Sequence, residues 1–326
     1  MDAPVLNVEG LKTHFFTRAG VVKSVDGVSL QLAPGEILGL VGESGSGKSV
    51  TGFSILGLID PPGRIVEGTV RLEGRDLTTL DDKAMSRVRG KDLAMIFQDP
   101  MMTLNPVLKI STQLIETVLA HAPVSKAEAR QRAIAALAMV GIPSPEERID
   151  AYPHQFSGGM RQRVAIATAL LHRPKVIIAD EPTTALDVTI QSQILAKMQE
   201  LCREIGTAMI WITHDLSVVA GLADRVAVMY AGRIVETGPV GAVLDFPHHP
   251  YTQGLIGSVP SHAEPGARLA QIPGATPSLS ALPDGCAFAP RCAKAIGLCR
   301  REAPQIEPLG MASVACHVAQ GTGGLE

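Results

Sequence analysis

The sequence predicts an α/β fold: a largely parallel sheet covered on both sides by helices, a small antiparallel β layer, a helical insertion and a loop-rich C-terminal extension. Three observations lead there. Short apolar runs at 37–41, 176–179 and 208–212 alternate with helical patterns, which is how buried parallel strands read. Between 110 and about 150 the apolar residues Ala133, Leu137 and Val140 fall at helical spacing, until Gly141 and Pro143 break the pattern. Beyond Phe246 the periodicity gives way to a stretch rich in Pro, Gly and Ser.

Taken in order, residues 5–11 (VLNVEGL) alternate as a strand, HFFTRAGVV follows as a loop and hairpin, and VDGVSLQL is a second strand stopped by Pro34-Gly35. Ile37–Val41 is a buried strand, and SVTGFSILGL, from Ser49, continues as an apolar helix. GTVRLEG and DLAMIFQ are further strands, the latter closing on Gln98 and the loop DPMMTLNP. RQRVAIATALL is a helix and KVIIADE a buried strand. The helix VTIQSQILAKMQELCREI carries Ile190, Ile194, Met198 and Leu201 on one face, with Cys202 beside them as a core residue. TAMIWITHD is another buried strand, and RVAVMY with GRIVETG forms a hairpin. The extension is expected to stand apart from this sheet. No internal repeat or low-complexity run is present.

The totals restrict function. A chain of 326 residues suggests about two domains with a substantial core. A net charge of −3 gives no electrostatic footprint for nucleic acid or an anionic membrane. One Trp and three Tyr leave few stacking platforms for single strands. No apolar run approaches the ~20 residues of a membrane span, and MDAPVLNVEG lacks the basic start and apolar core of a signal peptide. A cytoplasmic location is expected, and there five cysteines do not form structural disulfides.

The chemistry begins at Gly42-Glu43-Ser44-Gly45-Ser46-Gly47-Lys48-Ser49, which matches G-x-x-x-x-G-K-[ST] between a predicted strand and a predicted helix. Glycines let the backbone curl so that its N–H groups face phosphate oxygens, and the helix dipole adds positive potential there. Lys48 would reach the β- and γ-phosphates and Ser49 would ligate Mg²⁺. Such a loop needs an acidic strand end. Asp180 and Glu181 follow four apolar residues at the edge where open α/β sheets place ligands. Asp180 would hold Mg²⁺ and Glu181 is the candidate general base. Ser157, Gly158 and Gly159 open a second helix and form a second anion-binding N-terminus. One nucleotide does not need two cradles, so two copies facing head to tail, each lending its Ser-Gly-Gly to the other, is the economical arrangement.

With these motifs in order the chain resembles the ATP-binding cassette (ABC) ATPases over residues 1 to about 244. The resemblance rests on the P-loop at 42–49, Gln98, FSGGM at 156–160, Asp180-Glu181, ALD at 185–187 and His214 in ITHD. It implies a RecA-like core with an antiparallel β subdomain and a helical subdomain at about 99–160. It also implies roles: Gln98 linking Mg²⁺ and the lytic water to the helical subdomain, Asp187 reaching across the dimer, and His214 sensing the γ-phosphate. Phe15 matches the aromatic that stacks on adenine, with Phe16 adjacent. One departure is Met160, where the usual signature has Gln. It removes a side-chain hydrogen bond near the ribose and leaves Ser157 and the glycine amides intact.

Finer motifs (GESGSGKS, QDPMMTLNP, YPHQFSGGMRQR, PYTQGLIGSVP and the cysteine-bearing tail) are similar to the ATPase subunits of dipeptide and oligopeptide importers. That resemblance implies two membrane permeases, a related second ATPase subunit, an extracytoplasmic solute-binding protein and a peripheral place on the cytoplasmic face of the inner membrane. Importers of nickel, glutathione or other small solutes are of the same type. A DNA-repair ATPase of the cassette class is the rival reading. It would need long coiled-coil insertions, and no sustained heptads occur here. Cys286, Cys292, Cys299 and Cys316 are spaced C-x5-C-x6-C-x16-C. Four thiolates suit zinc or an iron–sulfur cluster, and the resemblance implies a [4Fe–4S] cluster. The cofactors expected are thus ATP, Mg²⁺ and that cluster, in a cassette domain at 1–244 and an extension at 245–326.

Overall fold

The computed structural model describes residues 3–183, 188–259 and 271–321. The chain forms two compact units. One comprises Met1–Leu6, Leu32–Glu36 and Thr79–Trp211, the other Asn7–Gln31, Ile37–Thr78 and Ile212–Glu326.

The second unit opens with β1 (Leu6–Thr17) and β2 (Gly20–Leu32), then β3 (Ile37–Val41), α1 (Lys48–Ile55), β4 (Gly63–Leu72) and β5 (Arg75–Asp76). Four of the strands form an antiparallel layer in the order β2-β1-β4-β5. HFFT, expected as loop, is strand. Phe16 N–H donates to Pro62 O at 3.0 Å, which holds it extended. β3 is buried along its whole length. α1 stops at Ile55, before its apolar run ends, because Gly57 takes a left-handed φ of 63°.

The first unit carries α2 (Asp82–Ser86), β6 (Leu93–Ile96), α3 (Ile110–His121), α4 (Lys126–Met139), α5 (Pro145–Arg148), α6 (Gly158–Leu170), β7 (Val176–Asp180), α7 (Val188–Ile205) and most of β8 (Ala208–Thr213). β6 and β7 pair in parallel, from Leu93↔Val176 to Ile96↔Ala179. The expected helical insertion is present as α3 and α4, with Ala133, Leu137 and Val140 buried. Ser125 caps α4 by accepting from Glu128 N–H, a favoured N-cap arrangement. Along α7, Ile194, Met198, Leu201 and Cys202 are buried, while the side chain of Ile190 lies outside the described ones.

The second unit resumes with α8 (Leu216–Leu222), β9 (Arg225–Tyr230), β10 (Arg233–Pro239), α9 (Val240–Asp245), α10 (Pro250–Gly257), α11 (Gly297–Arg301), β11 (Glu307–Leu309) and β12 (Ala312–Val314). Its strands follow the order β11-β12-β10-β9-β3. β3 pairs with β9 in parallel, and β9 with β10 as the expected antiparallel hairpin.

The extension departs from expectation. Rather than standing apart, it continues the sheet: β12 pairs with β10 through Glu236↔Val314 and Thr237↔Ser313. Without it β10 would expose a row of unpaired backbone groups. Tyr251 and Phe288, both from the extension, pack on Tyr230 with ring centroids 4.6 and 5.3 Å away. These three share one core with Val41, Val219, Val228 and Ala312. Among the described residues no helix is long and apolar enough to cross a membrane.

Candidate functional site

The phosphate-binding loop leaves the buried end of β3 and runs into α1. Its glycines are demanded by space as well as by φ. A Cβ on Gly42 would sit 2.1 Å from Met229 O, and one on Gly47 would sit 2.2 Å from Ser24 O. Gly45 lies in open space, but its φ of 78° is left-handed. Gly47 is the N-cap of α1 and gives no side-chain cap, so the first-turn amides are left to a ligand. Lys48 folds back over the loop, its Nζ donating to Gly42 O at 2.8 Å and Glu43 O at 3.0 Å. The buried Ser46 Oγ has no hydrogen-bond partner in the protein. A buried hydroxyl normally finds one, and an oxyanion in the cradle would supply it. Ser44 is exposed, and Ser49 stands half-buried in the first turn of α1. These features fit a bound polyphosphate.

Elsewhere in the same unit, Phe15 is half-buried and lies over Gly63, where a Cβ would meet its ring at 2.6 Å. Phe16 is 40% exposed and carries the Arg64 guanidinium 4.2 Å above its ring. His214 is exposed immediately after β8, and Asp215 caps α8 by accepting from Ser217 N–H at 2.8 Å.

The first unit brings a second group together. Because β6 and β7 are parallel neighbours, Gln98 and the Asp180-Glu181 pair emerge at the same sheet edge. Gln98 Nε2 donates to Glu181 Oε2 at 3.3 Å. Asp180 is buried at 6% exposure. Glu181 takes a left-handed φ of 44°, a conformation that costs about 1 kcal/mol or more for a non-glycine residue and clusters at functional sites. An acidic oxygen donor at a buried strand end suits a hard cation such as Mg²⁺. Ser157 is the N-cap of α6, accepting from Met160 N–H at 3.3 Å, and both Ser157 and Gly158 are exposed. Phe156 beneath them is buried, and Arg163 ties α6 to the helical segment by donating to Val140 O at 2.9 Å. Asp187 lies outside the described residues, as do Ala185 and Leu186.

The four C-terminal cysteines gather in the second unit. Cys286 N–H donates to Cys299 O at 2.8 Å. Burial pushes the Cys286 thiol up to about 11, and the neighbouring Cys299 and Cys316 add to that. Cys292 is raised in the same way, chiefly by burial and then by Cys316 and Cys299. Cys299 and Cys316 thus stand close enough to Cys286 and Cys292 to oppose the ionisation of those two thiols. The donor type fits a thiolate-held metal centre. The spacing does not close one, because among the described residues no three His, Cys, Asp or Glu side chains stand where one ion could be shared.

Sequence reasoning missed what grips Glu43. Arg291, Thr276 and Tyr251 all bind it from more than two hundred residues away. The only signal was a carboxylate inside an anion-binding loop, which demands a countercharge.

Comparison with known proteins gives two family matches along the chain. A family model described as ABC transporter matches residues 25–184, and one described as the oligopeptide/dipeptide transporter C-terminal region matches 235–299. The dipeptide transport ATP-binding protein DppD of Haemophilus influenzae is 49% identical over 313 residues, covering 96% of this chain and 95% of the relative. The oligopeptide transport ATP-binding protein OppD of Bacillus subtilis is 53% identical over 294 residues, covering 90% and 82%. Among solved structures, a dimeric ATP-binding cassette in a post-hydrolysis state with ADP and Pi is similar with a TM-score of 0.65. It is 27% identical, covering 72% of this chain and 98% of the other.

Proposed function

The chain belongs to the ATP-binding subunits of ABC transporters, in their oligopeptide/dipeptide branch, and on that premise we propose how its residues divide the work. It binds ATP with Mg²⁺ and hydrolyses ATP to ADP and phosphate, powering the import of peptides through membrane permeases. The observation that carries this is the phosphate loop with its unpartnered Ser46 hydroxyl, in a chain about half identical to peptide-transport ATP-binding proteins over nearly its whole length. Import of a non-peptide solute, or a role in DNA repair, is not favoured by those relatives.

The roles are the following. Gly42, Ser44, Gly45, Ser46 and Gly47 cradle the phosphates with backbone N–H groups, Lys48 neutralises the β- and γ-phosphates, and Phe15 stacks on adenine. Ser49, Asp180 and Gln98 would hold Mg²⁺, which neutralises phosphate charge when bound. Glu181 takes a proton from the attacking water, supported by its strained backbone and its contact with Gln98. His214 hydrogen-bonds the γ-phosphate. Ser157, Gly158 and Gly159, at the start of α6 with the first two exposed, complete the site of an opposed cassette, with Asp187 reaching the same partner. That partner is a related rather than identical subunit, and the pair sits peripherally on the cytoplasmic face of the membrane beside two permeases served by an extracytoplasmic solute-binding protein. Functionally, residues 1–244 are the cassette and 245–326 the extension. We further propose that Cys286, Cys292, Cys299 and Cys316 hold an iron–sulfur centre. The gathering of four thiols supports it, and side-chain rearrangement would be required to close the ligand set.

Glu181→Gln tests the assignment of the base. Turnover should fall by about 100-fold or more, the scale of losing a positioned general base. MgATP affinity should stay within about threefold, since glutamine keeps the shape, and uptake of labelled dipeptide in cells should stop. Wild-type turnover in the purified variant would remove Glu181 from that role.

A further inference from the structure

Glu43 occupies the first variable position of the phosphate-binding loop, and three residues of the C-terminal region bind it. Arg291 makes a bidentate pair with its carboxylate, Nη1 to Oε2 at 2.7 Å and Nη2 to Oε1 at 3.0 Å. Thr276 Oγ1 donates to Oε2 at 2.7 Å, and the Glu43 backbone N–H donates to the Tyr251 hydroxyl at 2.8 Å. Arg291 is itself immobilised. Its side chain is 5% exposed, its Nε donates to Pro273 O at 2.9 Å and Nη1 also reaches the Tyr230 hydroxyl at 3.3 Å. The rings of Tyr230 and Phe288 stand 5.8 and 5.9 Å from its guanidinium carbon. A guanidinium fork matched to a carboxylate fixes direction as well as charge.

The charge balance explains why the loop needs this. A carboxylate in a phosphate cradle repels the ligand unless a fixed cation neutralises it. The cations that Glu43 feels are Arg291 and Lys48. If Arg291 were removed, the carboxylate would compete with phosphate for Lys48, the residue that must meet the β- and γ-phosphates. We propose that Arg291, with Thr276 and Tyr251, is a positioning clasp that holds the phosphate loop in its binding shape and keeps Lys48 available to nucleotide, making the C-terminal region a working part of the ATP site. This rests on the reading of residues 42–49 as that site.

The test is a double-mutant cycle on the full-length chain, read by equilibrium binding of MgATP and by amide hydrogen exchange over residues 42–49 without nucleotide. Arg291→Ala should weaken MgATP binding by about tenfold and speed exchange in the loop, the scale of stranding a buried partner of a charged pair. Glu43→Gln alone should weaken binding by about threefold to tenfold, because its amide still accepts from Thr276 but leaves the buried Arg291 without a countercharge. Adding Glu43→Gln to Arg291→Ala removes both charges and should restore binding to within about threefold of wild type, which loss of folding in the C-terminal region would not allow. Wild-type affinity in Arg291→Ala, or a double variant as weak as Arg291→Ala, would overturn the clasp. A wild-type chain that binds no MgATP would instead overturn the reading of the nucleotide site. Loop exchange, which needs no nucleotide, would then still decide the clasp: unchanged exchange in Arg291→Ala refutes it.

Discussion

His249 shows how one buried side chain ties stability to pH. It caps α10, its Nδ1 accepting from Tyr251 N–H at 3.0 Å, and its own N–H and that of His248 are taken by Glu236. The ring is completely buried, with Nε2 unpartnered, so burial lowers its pKa from 6.5 to about 4. The unfolded chain takes up this proton near the ordinary value and the folded chain only near the lowered one. The stabilisation is therefore complete above about pH 6.5 and is lost as pH falls toward 4, by up to about 3 kcal/mol. His249→Asn keeps a capping acceptor and removes the titration. Its unfolding free energy should run flatter than wild type between those limits in denaturant titrations at stepped pH, and parallel curves would rule His249 out as the source of the slope.

At the scale of an element, the exposed start of α6 separates two uses of a helix N-terminus. The Ser157 hydroxyl caps its own helix, which is worth about 1 kcal/mol, while Gly158, with nothing within 4 Å of a would-be Cβ, leaves an open approach for a phosphate from another molecule. Ser157→Arg should leave MgATP affinity at this chain's own loop within about twofold, yet cut turnover in the assembled pair by about 100-fold, since in the proposed opposed arrangement it would block a transition-state donor set. Ser157→Ala controls for the lost cap. A fall in affinity at the variant's own loop would place Ser157 with its own nucleotide and refute the opposed arrangement.

For the whole molecule, the C-terminal region changes character once it is seen folded. A loop-rich segment with few periodic apolar residues is expected to stand apart from the sheet. Instead β12 extends the sheet, and Tyr251, Phe288 and Ala312 enter a core with β9 and β10. Packing therefore holds this region, and a metal centre would be an addition to a fold already formed. Anaerobically purified protein should be brown, with about four irons per chain for a cubane cluster. Cys292→Ser should bleach it while leaving the resistance of residues beyond 271 to protease unchanged. Anaerobic protein with tightly bound zinc and no iron, or with neither metal, would refute the cluster.

The nucleotide chemistry was legible in the chain because it is local. Gly42 to Ser49 form one loop and the helix start it runs into, whose spacing and flanking apolar runs state their own geometry, and α6, β7 and the β9–β10 hairpin announce themselves by period and by turn residues. Even the meeting of Gln98 with Glu181 follows from two parallel strands ending at one edge. What the sequence could not state is whatever depends on pairing across long separations. The strand Ala312–Val314 is too short to carry a period, and it becomes a strand because β10 offers it an open edge. Arg291 is one basic residue among many until the fold sets it against Glu43. The four cysteines read as a ligand set by composition, yet whether they share an ion depends on ångström-scale side-chain placement. Local chemistry repeats along the chain, whereas a long-range contact leaves no period and no spacing and exists only once the core has closed.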